Sequence, residues 1–281
     1  MTAGAETAEV QTRPPARPLG ASAGAFLLRH ITFVVFGLIT LFFVVYAPNF
    51  ASLTTATAIG RITAVVSIMA VGMTMVIVCR EIDLSVGALA SLSALSSALL
   101  MRTGINPWAA IPVVLAGGAL IGAFNGLLVT RLKIPSFLVT LGMLSVLSGT
   151  ALTLTNSLPI PIGSRRVGEI LVHGTLLGLP AAIWWTAAFA AAGYYILHVS
   201  VIGRHMLATG GNEAAARFSG IDVDRAKLIA FTISGACAAF AGFMLAARAS
   251  AGNPSVGVGL ELNVIAAVII GGTSLFGGRG S

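Results

Sequence analysis

An all-α fold, a polytopic bundle of transmembrane helices, is what this 281-residue sequence predicts, and three observations carry the prediction. Only 9% of the residues are charged, against about 25% in ordinary soluble domains. Hydrophobic residues make up 57% and mean hydropathy is +0.97. Apolar stretches of about 20 residues, long enough to cross a bilayer core, recur along the chain. A single aqueous globule does not fit these numbers. The net charge of +7 could suggest a nucleic-acid partner. The basic residues are scattered between apolar runs, however, so they are read as setting membrane orientation and no nucleic acid is expected.

Taken in order, residues 1–26 are polar, rich in Ala and Thr, and contain Pro14, Pro15 and Pro18. They are expected to be a disordered cytoplasmic tail. The first apolar run starts too late and is too long for a signal peptide. Membrane segments are expected near 27–47, 59–79, 84–101, 108–130, 137–155, 181–199, 228–247 and 263–277, about eight in all. The third and eighth are short or interrupted by Gly and Ser, and are expected to be partly re-entrant. Cys79 and Cys237 both lie in apolar segments without metal or redox spacing, and read as small reduced hydrophobes.

Orientation follows the basic residues. An amino terminus in the cytoplasm puts eleven of them inside: Arg13, Arg17, Arg29, Arg80, Arg131, Lys133, Arg204, Arg217, Arg225, Lys227 and Arg279. It leaves five outside: Arg61, Arg102, Arg165, Arg166 and Arg248. Tyr46, Trp108, Trp184 and Trp185 then fall at outer ends of spans, where amphipathic rings sit well.

The longest polar stretch between spans, residues 203–227, lies on the inner side in this orientation. It begins Gly203-Arg204 and contains Gly210, Gly211, Asn212, Glu213, Ala214, Ala215, Arg217, Phe218 and Gly220. Asn212 suits an N-cap, Glu213 complements the positive end of a helix, and the alanines that follow favour helix. Gly220 stands where a left-handed C-terminal residue is wanted. A helix of about two turns, roughly 10 Å long, is expected between them. So short a helix is marginal alone and needs a surface to rest on, for which Arg217 offers a cation and Phe218 an aromatic anchor. A solvated connector is the alternative reading of the same residues.

A second constellation, Arg80-Glu81-Ile82-Asp83-Leu84-Ser85, separates the second and third spans. Charges buried in lipid cost about 2.5–3.5 kcal/mol each on insertion scales, so these sit at the interface or face a polar cavity. Asp83 and Ser85 are suited to cap the next helix, or to line or gate a path. Gly117, Gly118, Gly122, Gly126, Gly142 and Gly149 point to close helix packing. Asn125, Thr140 and Asn263 are uncharged polar groups at membrane depth, able to serve a neutral substrate or to bond helix to helix. The two lysines, Lys133 and Lys227, follow no glycine, so the chain has no phosphate-binding loop of its own. No catalytic pairing is evident, no proton-carrying carboxylate ladder crosses the spans, and the four histidines are too dispersed for a metal site.

Three blocks of residues resemble the membrane-spanning permease subunits of bacterial ABC importers for monosaccharides, of the ribose, xylose, arabinose and galactoside type. The first runs from Ala70 through Gly87, the second joins Asn125–Leu128 to Ile134–Gly142, and the third joins Gly210–Ala215, Ser219–Ile221 and Glu261–Gly278. The resemblance implies a permease domain over 27–281 in a bacterial inner membrane, and no enzyme activity in this chain. It implies that loop 203–227 couples to a separate ATP-binding cassette subunit, which binds ATP and Mg. It also implies a periplasmic sugar-binding protein, a second permease chain as a homodimer, and lipid around the whole. Asp83, Ser85, Asn125, Thr140 and Asn263 are expected along the translocation path. Members of the family carry glycine where this chain has Arg80-Glu81, and further spans beyond the position of Ser281. The rival readings keep the transporter but change its cargo to a nucleoside, a signalling sugar or a branched amino acid. A further rival, a secondary transporter, needs no ATPase and predicts flux through the chain alone.

Overall fold

The computed structural model describes residues 31–163 and 165–280. The expected tail at 1–26 lies outside the described residues. Two units are distinct, divided after Ala51. The first contains α1 (Ile31–Tyr46), whose rings continue past the helix end, with Phe43 stacked on Phe50 at 5.4 Å between centroids.

The second unit begins with α2 (Leu53–Val78). This helix starts six residues before the expected span, because Ser52 caps it by accepting a hydrogen bond from the Thr55 amide. Helix α3 (Val86–Arg102) follows a break, and α4 (Pro107–Arg131) and α5 (Ser136–Leu154) come after it. A segment of short elements comes next, in which β1 (Ile160–Pro161), α6 (Arg165–Gly168) and a wider turn at Glu169–His173 precede the hairpin of β2 (Thr175–Leu176) and β3 (Leu179–Pro180). Helix α7 (Ala181–Tyr194) continues through a wider turn to Val199, and is followed by α8 (Val201–Gly211) and α9 (Glu213–Phe218). Helix α10 (Val223–Ala249), β4 (Ala251–Gly252) and α11 (Leu260–Ile270) complete the order. Among the described residues, five helical stretches are long and apolar enough to cross a membrane: Leu53–Val78, Pro107–Arg131, Ser136–Leu154, Ala181–Val199 and Val223–Ala249. Together with the shorter apolar helices α1, α3 and α11 they occupy all eight expected segments. The fold is the predicted helical membrane bundle.

Helix α10 is the centre of the second unit, packed along α4, α3 and α2. Phe231, Phe243 and Met244 are buried on it. Ile68, Met69 and Met73 of α2, with Leu89 and Leu95 of α3, complete the core around it. Small residues make these approaches possible. A Cβ on Gly122 would strike the Phe231 carbonyl, and one on Gly118 would strike Ala239 and Gly235. Gly117, Gly142 and Gly149 face open space instead, so half of the expected glycine contacts are packing contacts and half are not. Gly122→Val is accordingly expected to destabilise the bundle by about 1–3 kcal/mol, the cost of overpacking a tight core. It should lower the unfolding temperature in detergent, whereas Gly117→Ala, with free space and better helix propensity, should hold or raise it.

The third and eighth segments differ from each other. Helix α3 is one unbroken helix of 17 residues, and its Gly87 sits against Gly257. The eighth segment holds only a short helix, Leu260–Ile270. After β4 pairs with β1, the chain runs back along α3, Gly252 meeting Ala94 and Ala98 and Gly257 meeting Gly87. Only then does α11 begin. Buried backbone must find partners, and the Gly257 amide donates to Ser91 Oγ at 2.8 Å. Cys79 and Cys237 are buried free thiols, as their apolar setting suggested.

Candidate functional site: the loop helix and the α2–α3 break

Local sequence shapes α9 as expected. Asn212 takes extended backbone and its Oδ1 accepts the Ala215 amide at 3.0 Å, a side-chain N-cap. At the other end Gly220 has φ +80, its amide donates to Arg217 O, and the Ile221 amide reaches back to Ala216 O. This pair of bonds is a Schellman closure, and glycine meets the left-handed turn without a Cβ penalty. Six residues span about 9 Å. One of them, Ala216, is buried. Phe218 is 93% exposed and points its ring away from the protein.

What the sequence did not announce is a chain of ion pairs under this helix. Lys227 Nζ lies 2.9 Å from Glu213 Oε2 and 2.8 Å from Glu81 Oε1. Arg217 reaches Glu213 Oε1 at 3.0 Å and Asp224 Oδ1 at 2.6 Å, and Lys133 reaches Asp224 at 3.1 Å. Arg217 is therefore paired within the chain while its side chain stays 44% exposed. Gly203 and Gly210 are also buried rather than presented. A Cβ on Gly203 would strike the carbonyls of Ile196 and Leu197, and one on Gly210 would strike Val78 O. Arg204 donates to Val199 O at 3.0 Å. Gly211, Asn212, Ala214, Ala215, Phe218 and Gly220 remain on the surface.

Hydrogen bonds from Lys227 first, then Arg217, hold the Glu213 carboxyl below its usual pKa. The sign follows. A carboxylate with a lowered folded pKa contributes stability that is complete above its unfolded pKa and is lost as pH falls through the folded value. Amides of residues 213–220 should thus exchange deuterium faster below about pH 4, after correction for intrinsic rates, and Glu213→Gln should flatten that dependence. The pairs at Arg217, with both partners 44% or 32% exposed, contribute about 0–1 kcal/mol each.

The break between α2 and α3 starts at Arg80, which adopts φ +63. Asp83 is fully buried. Its Oδ1 accepts from the Ser85 amide at 3.0 Å and from Ser85 Oγ at 2.6 Å, and its Oδ2 accepts from Ser234 Oγ at 3.1 Å. Asn125 Nδ2 donates to Ser85 Oγ at 3.0 Å. The Ser136 hydroxyl accepts the Ile82 amide, and Thr140 donates to Ser136 O at 2.8 Å. Ser85 stands at the N-cap of α3, as expected, but its hydroxyl makes no capping bond and is spent on Asp83. So Asp83, Ser85, Asn125 and Thr140 do come together, as a buried knot. Asn263 is exposed on α11 and takes no part.

A cavity of about 400 Å³ opens elsewhere, between α3 and α4. Ser93 and Ser96 place hydroxyls among its leucines, with Val113 and Gly117 opposite. Sequence reasoning passed over both serines. Their spacing of three residues on one face of a helix was the available signal, hidden by the many other serines of that span. Among the described residues no cluster of His, Cys, Asp or Glu could hold a metal ion.

The three sequence blocks converge here. Val78 O accepts the Gly278 amide at 2.9 Å beside Gly210, while Ile82 meets Ser136 and Ser85 meets Asn125. Comparison with known proteins agrees with that convergence. Residues 56–278 match the family model described as "Branched-chain amino acid transport system / permease component". The ribose import permease protein RbsC of Escherichia coli (strain K12) is 40% identical over 237 residues, covering 83% of this chain and 74% of that protein. The RbsC of Haemophilus influenzae (strain ATCC 51907 / DSM 11121 / KW20 / Rd) is 37% identical over 260 residues, covering 92% and 80%. The L-arabinose transport system permease protein AraH of Escherichia coli (strain K12) is 33% identical over 247 residues, covering 88% and 75%. No solved structure matches the chain.

Proposed function

This chain belongs to the permease-component family of the branched-chain amino acid transport type, and we propose that it is the membrane subunit of an ATP-driven importer for a monosaccharide, ribose or a close relative. The observation that carries the reading is identity of 33–40% to ribose and arabinose permeases over more than four fifths of this chain. The loop 203–227 supplies the mechanical part. On the cytoplasmic side of a bacterial inner membrane, with the amino terminus on the same side, α9 rests in a groove of a separate cassette subunit that binds ATP and Mg. Phe218 is the anchor in that groove. Two permease chains, two cassettes and an external sugar-binding protein make up the working unit.

Closure of the cassettes on ATP moves α9, and the bundle re-packs so that its cavity opens to the other side. The hydroxyls of Ser93 and Ser96 suit a neutral polyol, because they offer hydrogen bonds without fixed charge. Asp83, Ser85, Asn125 and Thr140 act on the path from behind, by fixing where α3 begins against α4 and α10. The family description names branched-chain amino acids; the absence of a charged group among the cavity-lining residues favours a sugar over a zwitterion.

The test is uptake into proteoliposomes holding this chain with its cassette subunit, given ATP inside and the binding protein with labelled ribose or leucine outside. Ribose accumulation that requires both partners is the expected result. Accumulation by the chain alone, or of leucine only, would contradict the reading.

A further inference from the structure

We propose that Lys227 is the clasp through which α9 acts on the α2–α3 break, and so on the buried knot around Asp83. This rests on the reading of 203–227 as the ATPase-coupling loop. Helix α9 is poorly held by packing, with Ala216 as its one buried residue, so its charged contacts decide what it moves. Lys227 is the group that ties α9 to the α2–α3 break. Its ammonium sits 2.9 Å from Glu213 on α9 and 2.8 Å from Glu81 in the break.

The bridge to Glu81 is also the least hydrated of the ion pairs. Both side chains are 13% exposed, against 44% for both partners of the Arg217–Glu213 pair. Solvent and salt screen it correspondingly less. Two helical turns along α10 from Lys227, Ser234 Oγ donates to Asp83 Oδ2. Helix α10 therefore grips the break at two heights, at Glu81 and at Asp83, two residues apart. A displacement of α9 carries Glu213, Lys227 and Glu81 together, and Asp83 with its Ser85 partner follows. An ammonium has three donors and can hold two carboxylates simultaneously. Methionine keeps the length of the side chain and loses this, whereas arginine keeps it.

The experiment measures ATP hydrolysed per sugar imported in proteoliposomes of the full complex with labelled ribose as probe. Lys227→Met should raise that ratio by about tenfold, and Lys227→Arg should bring it back to within about threefold of the parent. A parental ratio in Lys227→Met, or an arginine variant as uncoupled as the methionine one, overturns the clasp. Should Lys227→Met fail to assemble, Glu213→Ala decides, since that side chain is less buried than Lys227, 44% exposed against 13%: a ratio raised threefold or more supports the clasp and an unchanged one overturns it. Phe218→Ala separates the two levels. If it leaves assembly and coupling intact, the coupling-loop reading itself has failed. If it breaks them while Lys227→Met stays coupled, only the clasp has.

Discussion

Phe218→Ala is expected to lower ATP-driven uptake at least about tenfold while leaving the chain folded and in the membrane. The ring is 93% exposed, so its removal takes little from the fold; exposed substitutions usually change stability by less than about 0.5 kcal/mol. Exposure of an aromatic that large, at the end of a helix capped at both termini, makes sense in a complex. Aromatic anchors at protein interfaces are worth about 2 kcal/mol or more, which is roughly thirtyfold in affinity. Uptake assays and co-purification with the cassette subunit read both effects. Full uptake with an unchanged complex would overturn the reading of 203–227 as the coupling loop.

Asp83→Ala should be the most destabilising single change in the break. It strips an acceptor from the Ser85 amide, from Ser85 Oγ and from Ser234 Oγ, all buried. Each buried donor left unpaired costs about 1–3 kcal/mol. The two hydroxyls can rotate toward other acceptors, but the amide cannot, so a total of about 3 kcal/mol is expected. Asp83→Asn keeps one carbonyl oxygen for the amide and should cost about 1 kcal/mol. Thermal unfolding in detergent, together with the yield of folded protein, checks the order. If the asparagine variant were the weaker of the two, the hydrogen-bond account of the knot would be wrong.

The helices were legible because their apolar length is itself the cause of membrane insertion. Their starts were less so. Hydropathy cannot see that Asp222 caps α10 at the Arg225 amide, and the charged first turn with Asp224 and Lys227 hid five residues of that helix. The loop helix was readable from Asn212 and Gly220 because capping is a local property. Its anchoring was not, since Glu81 and Glu213 are 132 positions apart in the sequence yet share one ammonium. Arg217 is different: its partners Glu213 and Asp224 lie four and seven residues away. Asp83 and Ser85 were recognised as special from their chemistry, but whether they faced a cavity or a knot depended on Asn125 and Ser234 from distant helices. The Arg80-Glu81 pair, unusual against the glycines of the family it resembles, has a structural counterpart. Arg80 adopts the left-handed backbone that glycine adopts freely, and Glu81 supplies a carboxylate to Lys227.

Cross-linking at position 218 tests the central claim most directly. Cys79 and Cys237 are buried, so a Phe218→Cys variant presents one accessible thiol among the described residues, and a matching cysteine can be placed in the groove of the cassette subunit. Disulfide formation between the two chains in inside-out vesicles, rising or falling with ATP, is the result predicted here. A thiol that is labelled only from the periplasmic face, or that never meets the cassette subunit while sugar is still imported, would contradict it.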